Sequence, residues 1–111
     1  MGQHIIPINP SLKNFEFFVT LDGDLYLLSF SWNVRDQAFY VSLGDSQGEP
    51  IAQGIKVVED TFLFQYVFDS RKFPGDIMAF DSENFASPPK LGELGDSYKL
   101  IYFDQVELAI I

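Results

Sequence analysis

Apolar and polar residues alternate through residues 15–32, FEFFVTLDGDLYLLSFSW, which predicts two β-strands joined by a tight turn. Asp22-Gly23 lies between the strands, and Asp-Gly is the preferred pair for a two-residue type I′ loop because both positions need positive φ. Alternate residues then share a face. The aromatic face contains Phe15, Phe17, Val19, Tyr26, Leu28, Phe30 and Trp32. The opposite face is mixed, with Phe18, Leu25 and Leu27 as apolar exceptions. We therefore predict an internal hairpin of an antiparallel sheet, with its aromatic face on the core.

Further strand-like segments lie between turn residues along the rest of the chain. Pro7 cannot donate to a β-ladder, so the first segment is expected at a sheet edge. Gly54 indicates a bulge or kink inside a later one. The segments are residues 4–8, 38–43, 51–58, 77–80 and 97–103. Six to eight short strands predict an all-β domain, a small antiparallel barrel or sandwich spanning residues 1–111.

Two stretches fit this strand pattern less well. Residues 59–68 read as a strand by propensity, with Phe62, Phe64, Tyr66 and Phe68 on one face, or as a short helix capped by Asp60. Residues 82–95 contain Pro88-Pro89 and two glycines and predict a long loop.

The net charge of −9 narrows the partners that we expect. Contacts to nucleic acid depend on Lys and Arg that neutralise phosphates, and the seven basic residues are scattered apart from Arg71-Lys72. We therefore expect no nucleic-acid partner. No cysteine is present, which excludes disulfides and thiolate metal sites and fits a reducing compartment. We also expect no signal peptide and no membrane partner, because no apolar stretch approaches the roughly 20 residues that span a bilayer.

Candidate chemistry is sparse. The acidic pairs Asp22/Asp24, Glu59/Asp60 and Glu93/Asp96 do not have the spacing of a calcium loop. His4 is the single histidine, and the sequence has neither a nucleophile-elbow motif nor a phosphate-binding glycine motif. We therefore predict no catalytic residues, no metal site and no cofactor. Trp32 and the tyrosines could instead form a sugar-stacking platform, although a core explains most of the aromatic residues.

The order of several short motifs resembles one known family. Each motif is weak alone, and the ordered set extends over about residues 5–103. The motifs are Ile5-Ile6-Pro7, Leu21-Asp22-Gly23, Trp32-Asn33-Val34-Arg35, Phe39-Tyr40-Val41-Ser42-Leu43, Gly48-x-Pro50-Ile51-x-x-Gly54-Ile55, Leu94-Gly95 and Tyr98-Lys99-Leu100-Ile101-Tyr102. This set resembles the baseplate plug proteins of contractile-tailed phages, of the cyanophage type.

The resemblance implies a β-rich structural protein of a phage tail baseplate, present in the virion, assembled in the host cytoplasm and without enzymatic activity. It implies other baseplate proteins as partners, symmetric copies of the chain, and a helix-like segment at residues 60–66. Because Val106, Leu108 and Ile110 alternate, the tail 104–111 would present one apolar face, to its own domain or to a neighbour. The candidate interface residues are Trp32, Asn33, Arg35, Val106, Leu108 and Ile110. The alternatives are a carbohydrate- or ligand-binding β-module and a small hydrolase or isomerase.

Overall fold

The computed structural model describes residues 3–104, which form two antiparallel sheets. The strands are β1 (Gln3–Ile6), β2 (Phe15–Leu21), β3 (Asp24–Asn33), β4 (Ala38–Gly44), β5 (Pro50–Lys56), β6 (Asp76–Asp81) and β7 (Tyr98–Phe103). One sheet has the order β1-β7-β6 and the other the order β2-β3-β4-β5. The predicted all-β fold is confirmed, and the arrangement is that of a sandwich.

The β2–β3 hairpin forms in the predicted register. Phe15 lies opposite Phe30 and Leu21 opposite Asp24, so Asp22 and Gly23 make the loop. Their φ angles are 52° and 88°, as a type I′ turn requires. On the inward face Tyr26, Leu28 and Phe30 are buried, whereas three inward side chains of β2, Phe15, Phe17 and Val19, are only half-buried.

The prediction of an internal hairpin is wrong for β2. This strand pairs with β3 alone among the described strands and lies at the edge of its sheet. Strand order depends on contacts between residues far apart in sequence. The pattern of a hairpin therefore does not show whether a further strand pairs with the free side of β2. The edge position expected for the first segment is confirmed, since β1 lies at the edge of its sheet and ends before Pro7.

Phe73 lies between the two sheets. Its ring meets Tyr26 of the four-stranded sheet and Tyr102 of the three-stranded sheet edge-on, with centroids 5.3 and 5.5 Å apart. Phe64 packs against the same ring at 5.5 Å. Such edge-to-face contacts are the preferred geometry for aromatic pairs. The crossover 57–75 that carries Phe73 therefore forms part of the core.

Residues 59–68 form neither the strand nor the helical turn that we considered. Asp60, the candidate N-cap, has a positive φ of 55° instead of the extended conformation usual for an N-cap, and no helix follows it in residues 61–68. The backbone N–H of Asp60 donates to Ala79 O, and that of Leu63 donates to Ile77 O, both in β6. The segment is thus held by isolated bridges along β6, and Phe64 is buried while Tyr66 and Phe68 are exposed.

The predicted loop after β6 is fixed at both ends. Asp81 accepts hydrogen bonds from several backbone N–H groups of the loop, Ala86 among them at 2.7 Å. The Tyr98 hydroxyl donates to Ser87 O, and Lys90 Nζ donates to Gln37 O at 3.0 Å. Within residues 3–104, no helix could span a membrane.

Candidate interaction surface

The turn between β3 and β4 carries three of the residues that the sequence singled out. Trp32 is half-buried and packs on Phe39 with ring centroids 5.0 Å apart. The side-chain oxygen of Asn33 accepts from the N–H of Asp36 at 2.9 Å, which shapes the turn. Arg35 is exposed beside Val34, which is 72% exposed. The structure therefore gives Trp32 and Asn33 folding roles and leaves Arg35 accessible at the tip.

Asp36 anchors this turn to the sheet. Its carboxylate accepts from the Tyr40 hydroxyl at 2.6 Å and pairs with Lys56 at 3.3 Å. The hydrogen bond from Tyr40 and the Lys56 ammonium hold the pKa of Asp36 below its usual range. Anchored in this way, the turn can present Val34 and Arg35 with a small loss of conformational entropy on binding.

Two aromatic side chains of the crossover are the most exposed large apolar groups of the described chain. Tyr66 is 79% exposed and Phe68 is 88% exposed. Val67, between them, packs against the core. Exposed aromatic residues on a supported backbone are typical anchors of protein–protein contacts.

Polar contacts, buried at Asp76 and exposed at Arg71, hold the backbone on both sides of this aromatic pair. Asp76 accepts from the backbone N–H of Phe64 at 2.9 Å, and burial raises the pKa of its carboxyl. Arg71 pairs with Asp69 at 2.8 Å and with Asp45 at 3.4 Å. Hydrogen bonds from Arg71 lower the pKa of Asp69 to about 2.

The outer face of the four-stranded sheet carries a second apolar group. Phe18 pairs with Leu27, and Thr20 pairs with Leu25 in the next row. Phe18 and Leu25 are exposed, and Leu27 is half-buried. These three residues are the exceptions that the sequence pattern showed on the polar face of the hairpin.

The outer face of the three-stranded sheet is also apolar. Ile5 and Met78 lie on either side of Ile101 in the registers of the two strand pairs, so the row extends across the whole sheet. Ile5 is 60% exposed. Phe62, paired with Met78, stacks edge-on with Phe103 at 5.6 Å.

Several of the titratable residues that the sequence singled out have structural contacts. His4 lies in β1, and its ring contacts that of Tyr102 in a tilted arrangement with centroids 5.3 Å apart. Asp22 accepts a hydrogen bond from the Tyr102 hydroxyl. The pKa of Tyr102 is raised, chiefly by burial and in second place by this hydrogen bond. Glu93 accepts from the Lys90 N–H at 2.7 Å. In the described part of the chain, no three metal-ligating side chains are placed so that they could hold an ion.

Two depressions on the described surface have volumes of about 80 and 250 Å³. Pockets for small ligands usually measure about 300–1,000 Å³. The smaller depression lies on the outer face of the four-stranded sheet beside Leu27, between Ser29 and Ser42. The larger lies between the β2–β3 hairpin tip and Arg71. Both depressions are smaller than such pockets.

The sequence pattern includes Tyr66 and Phe68 but does not predict that both side chains are exposed. Both belong to an alternating aromatic series, and nothing local shows that Phe64 turns inward while its neighbours stay outside. Val106, Leu108 and Ile110 lie outside the described residues, so their predicted interface role stays a prediction.

A family profile described as "Cyanophage baseplate Pam3 plug gp18" matches residues 3–105. Among curated proteins, none matches the sequence. The family profile extends over the two sheets, the crossover and the loops described above. The predicted resemblance is confirmed over nearly the whole sequence. The chain belongs to the cyanophage baseplate plug family.

Proposed function

We propose that this protein is a structural component of a contractile phage tail, which plugs the baseplate through protein–protein contacts and catalyses no reaction. The family match over residues 3–105 carries the proposal, since a baseplate plug is a virion component. Copies assemble with other baseplate proteins in the host cytoplasm before the tail is complete.

The main contact surface in this proposal is the exposed pair Tyr66 and Phe68. Burying two large aromatic groups at a contact removes apolar area from water, at about 25 cal/mol per Å². Their backbone is held by Asp76 and Arg71, so little ordering is needed on binding. The turn tip at Val34 and Arg35 is a second contact surface, in which the guanidinium meets an acidic or carbonyl-rich neighbour.

A sugar-binding role has less support. Stacking on a pyranose needs an open aromatic face, and Trp32 packs on Phe39 while its backbone N–H donates to Asn14. The two depressions are small and lack exposed aromatic residues. The assembly role therefore uses the accessible aromatic residues better.

Complementation of a phage that carries a nonsense mutation in this gene tests the proposal. We expect the unsupplemented phage to produce tails with incomplete baseplates in electron micrographs. Wild-type protein should restore infective particles. A double variant Tyr66→Ser/Phe68→Ser should restore far fewer, although it folds.

The matched control is Leu12→Ser, which also removes an exposed apolar side chain but lies outside the crossover. This variant should complement like the wild type. Complete, infective tails without the protein would refute the baseplate role. Full complementation by the double aromatic variant would refute the contact surface at Tyr66 and Phe68 but leave the baseplate role standing.

A further inference from the structure

Exposed strand edges template pairing with other chains, and folded proteins usually protect them. The described sheets have four such edges, at β1, β6, β2 and β5. β1 has only four residues and is followed by Pro7. The edge of β6 is covered by the crossover, whose Asp60 and Leu63 donate backbone hydrogen bonds to it at 3.0 and 2.9 Å.

β5 is protected in a different way. It begins at Pro50, which has no N–H, and Gly54 within it has a φ of 69°. Its pairing with β4 contains register shifts. Bulges of this kind twist an edge away from a flat partner. Three of the four described edges therefore carry a recognised protective feature.

β2 has none of these features. It is seven residues long, its sequence FEFFVTL contains neither proline nor glycine, and its pairing with β3 has no register shift. Glu16 is its single charged residue. Among residues 3–104, no backbone group pairs with its outer edge.

The side chains next to this edge are incompletely covered as well. On the inner face Phe15, Phe17 and Val19 are half-buried, although the corresponding residues of β3 are buried. On the outer face Phe18 is 53% exposed. A strand added beside β2 would cover apolar groups on both faces and would form hydrogen bonds with the unpaired backbone N–H and C=O groups of its outer edge.

The hairpin determines which backbone groups are available. In a two-residue hairpin the residues that flank the loop, Leu21 and Asp24, form a hydrogen-bonded pair. Odd-numbered residues of β2 therefore bond to β3. The N–H and C=O groups of Glu16, Phe18 and Thr20 point away from the sheet.

We propose that β2 of one copy pairs antiparallel with β2 of a second copy, about a two-fold axis at Phe18. In this register Phe18 lies opposite Phe18 of the second copy, and Glu16 lies opposite Thr20. All three outward-facing residues of each strand form hydrogen-bonded pairs, and each inner Phe17 lies beside Val19 of the other copy. The two sheets then form one continuous eight-stranded sheet.

Charge selects this register over a shifted one. Moving the axis to Glu16 would place two carboxylates directly opposite each other, which is unfavourable. With the axis at Phe18, the carboxylate of Glu16 in each strand faces the hydroxyl of Thr20 in the other, and the two exposed Phe18 rings meet. The pattern FEFFVTL is thus self-complementary about its central residue, as an isologous contact requires.

Single-cysteine variants of the full chain test the pairing directly, because the natural sequence has no cysteine. Hydrogen-bonded antiparallel partners have Cα atoms about 5.5 Å apart, within disulfide range. Under mild oxidation Phe18→Cys should form a covalent dimer. Thr20→Cys alone should form no covalent dimer, since its own counterpart lies several residues away, whereas the double variant Glu16→Cys/Thr20→Cys should cross-link.

Light scattering on wild-type protein should give the mass of a dimer. Phe18→Glu should give monomers that still unfold in one cooperative transition, because the variant places two carboxylates on the axis and leaves the monomer core intact. The matched control Leu25→Glu lies on the same face but on β3, and should remain dimeric.

Monomeric wild-type protein, or no cross-link through Phe18→Cys, overturns the proposal and indicates that residues 105–111 or another baseplate chain occupies the edge. Equal cross-linking through Thr20→Cys overturns the two-fold register. The inference goes beyond the proposed function, since a monomer that still completes tails would refute the pairing and leave the plug role standing.

Discussion

Gly75 lies where the crossover enters β6, and the backbone of β7 passes directly beside it. A methyl group on its Cα would lie 2.7 Å from the Tyr102 hydroxyl and 2.9 Å from Asp104 Cα, and it would clash with Phe103 O. The Tyr102 hydroxyl accepts from the Gly75 N–H at 3.1 Å and donates to Asp22. This close approach links the crossover, β7 and the β2–β3 hairpin.

Gly75→Ala should therefore lower the free energy of unfolding by about 2–3 kcal/mol, the cost of overpacking a tight site. Gly48→Ala is the matched control. Gly48 has a φ of 82° but open space at the Cβ position, so the cost should be about 1 kcal/mol. Urea unfolding of both variants measures the difference, and equal costs would contradict the close approach.

Asp76 makes the stability dependent on pH. Burial raises its pKa in the folded chain, so the folded state binds its proton more tightly than the unfolded state. The resulting stabilisation is complete below the unfolded value of 3.8 and is lost as the pH rises through the folded pKa.

Asp76→Asn keeps an acceptor for the N–H groups of Phe64 and Ile77 but removes this titration. The stability of wild type relative to the variant should therefore fall as the pH rises from below 3.8 to neutrality. Urea unfolding of both proteins across this range gives the comparison. A difference that stays constant, or that grows with pH, would show that burial does not control this carboxyl.

At the scale of elements, the β2–β3 hairpin was predictable because its information is local. Asp22-Gly23 fixes the loop, the loop fixes the register, and alternation fixes the faces. The edge position of β2 was not predictable, since it depends on which distant strands pair. The prediction for residues 59–68, in the crossover 57–75, was wrong for the same reason, because the backbone hydrogen bonds of this segment go to the distant strand β6. The exposure of Tyr66 and Phe68 follows from that pairing.

Truncations in the hairpin test the face assignment. Phe30 is 2% exposed, so Phe30→Ala should cost about 3–5 kcal/mol. Phe17→Ala should cost roughly half as much, because its ring is only half-buried at the open edge. Phe18→Ala, on the outer face, should cost less than about 1 kcal/mol in the monomer. The order of the three unfolding midpoints measures these costs. If Phe18→Ala costs as much as Phe30→Ala, the assignment of the inner and outer faces is wrong.

At the scale of the whole molecule, 16 acidic and seven basic residues give the net charge of −9. Four of the basic side chains are committed to contacts, Lys56 with Asp36, Arg71 with Asp69, and Lys72 and Lys90 with backbone carbonyls. The acidic excess and the exposed apolar groups together suit contacts with protein neighbours rather than with phosphate backbones.

We accordingly expect no measurable binding to duplex DNA at physiological salt. Fluorescence anisotropy with a labelled duplex checks this, with a basic DNA-binding protein as the positive control. Binding that weakens steeply as salt is added would reveal a cationic surface and contradict the expectation.

Cryo-electron microscopy of the purified tail tip tests the plug assignment most directly. We predict density in the baseplate that accommodates the two packed sheets, with Tyr66 and Phe68 buried against a neighbouring chain. A complete baseplate reconstruction without density for this domain, from particles whose host expressed the protein, would contradict the assignment.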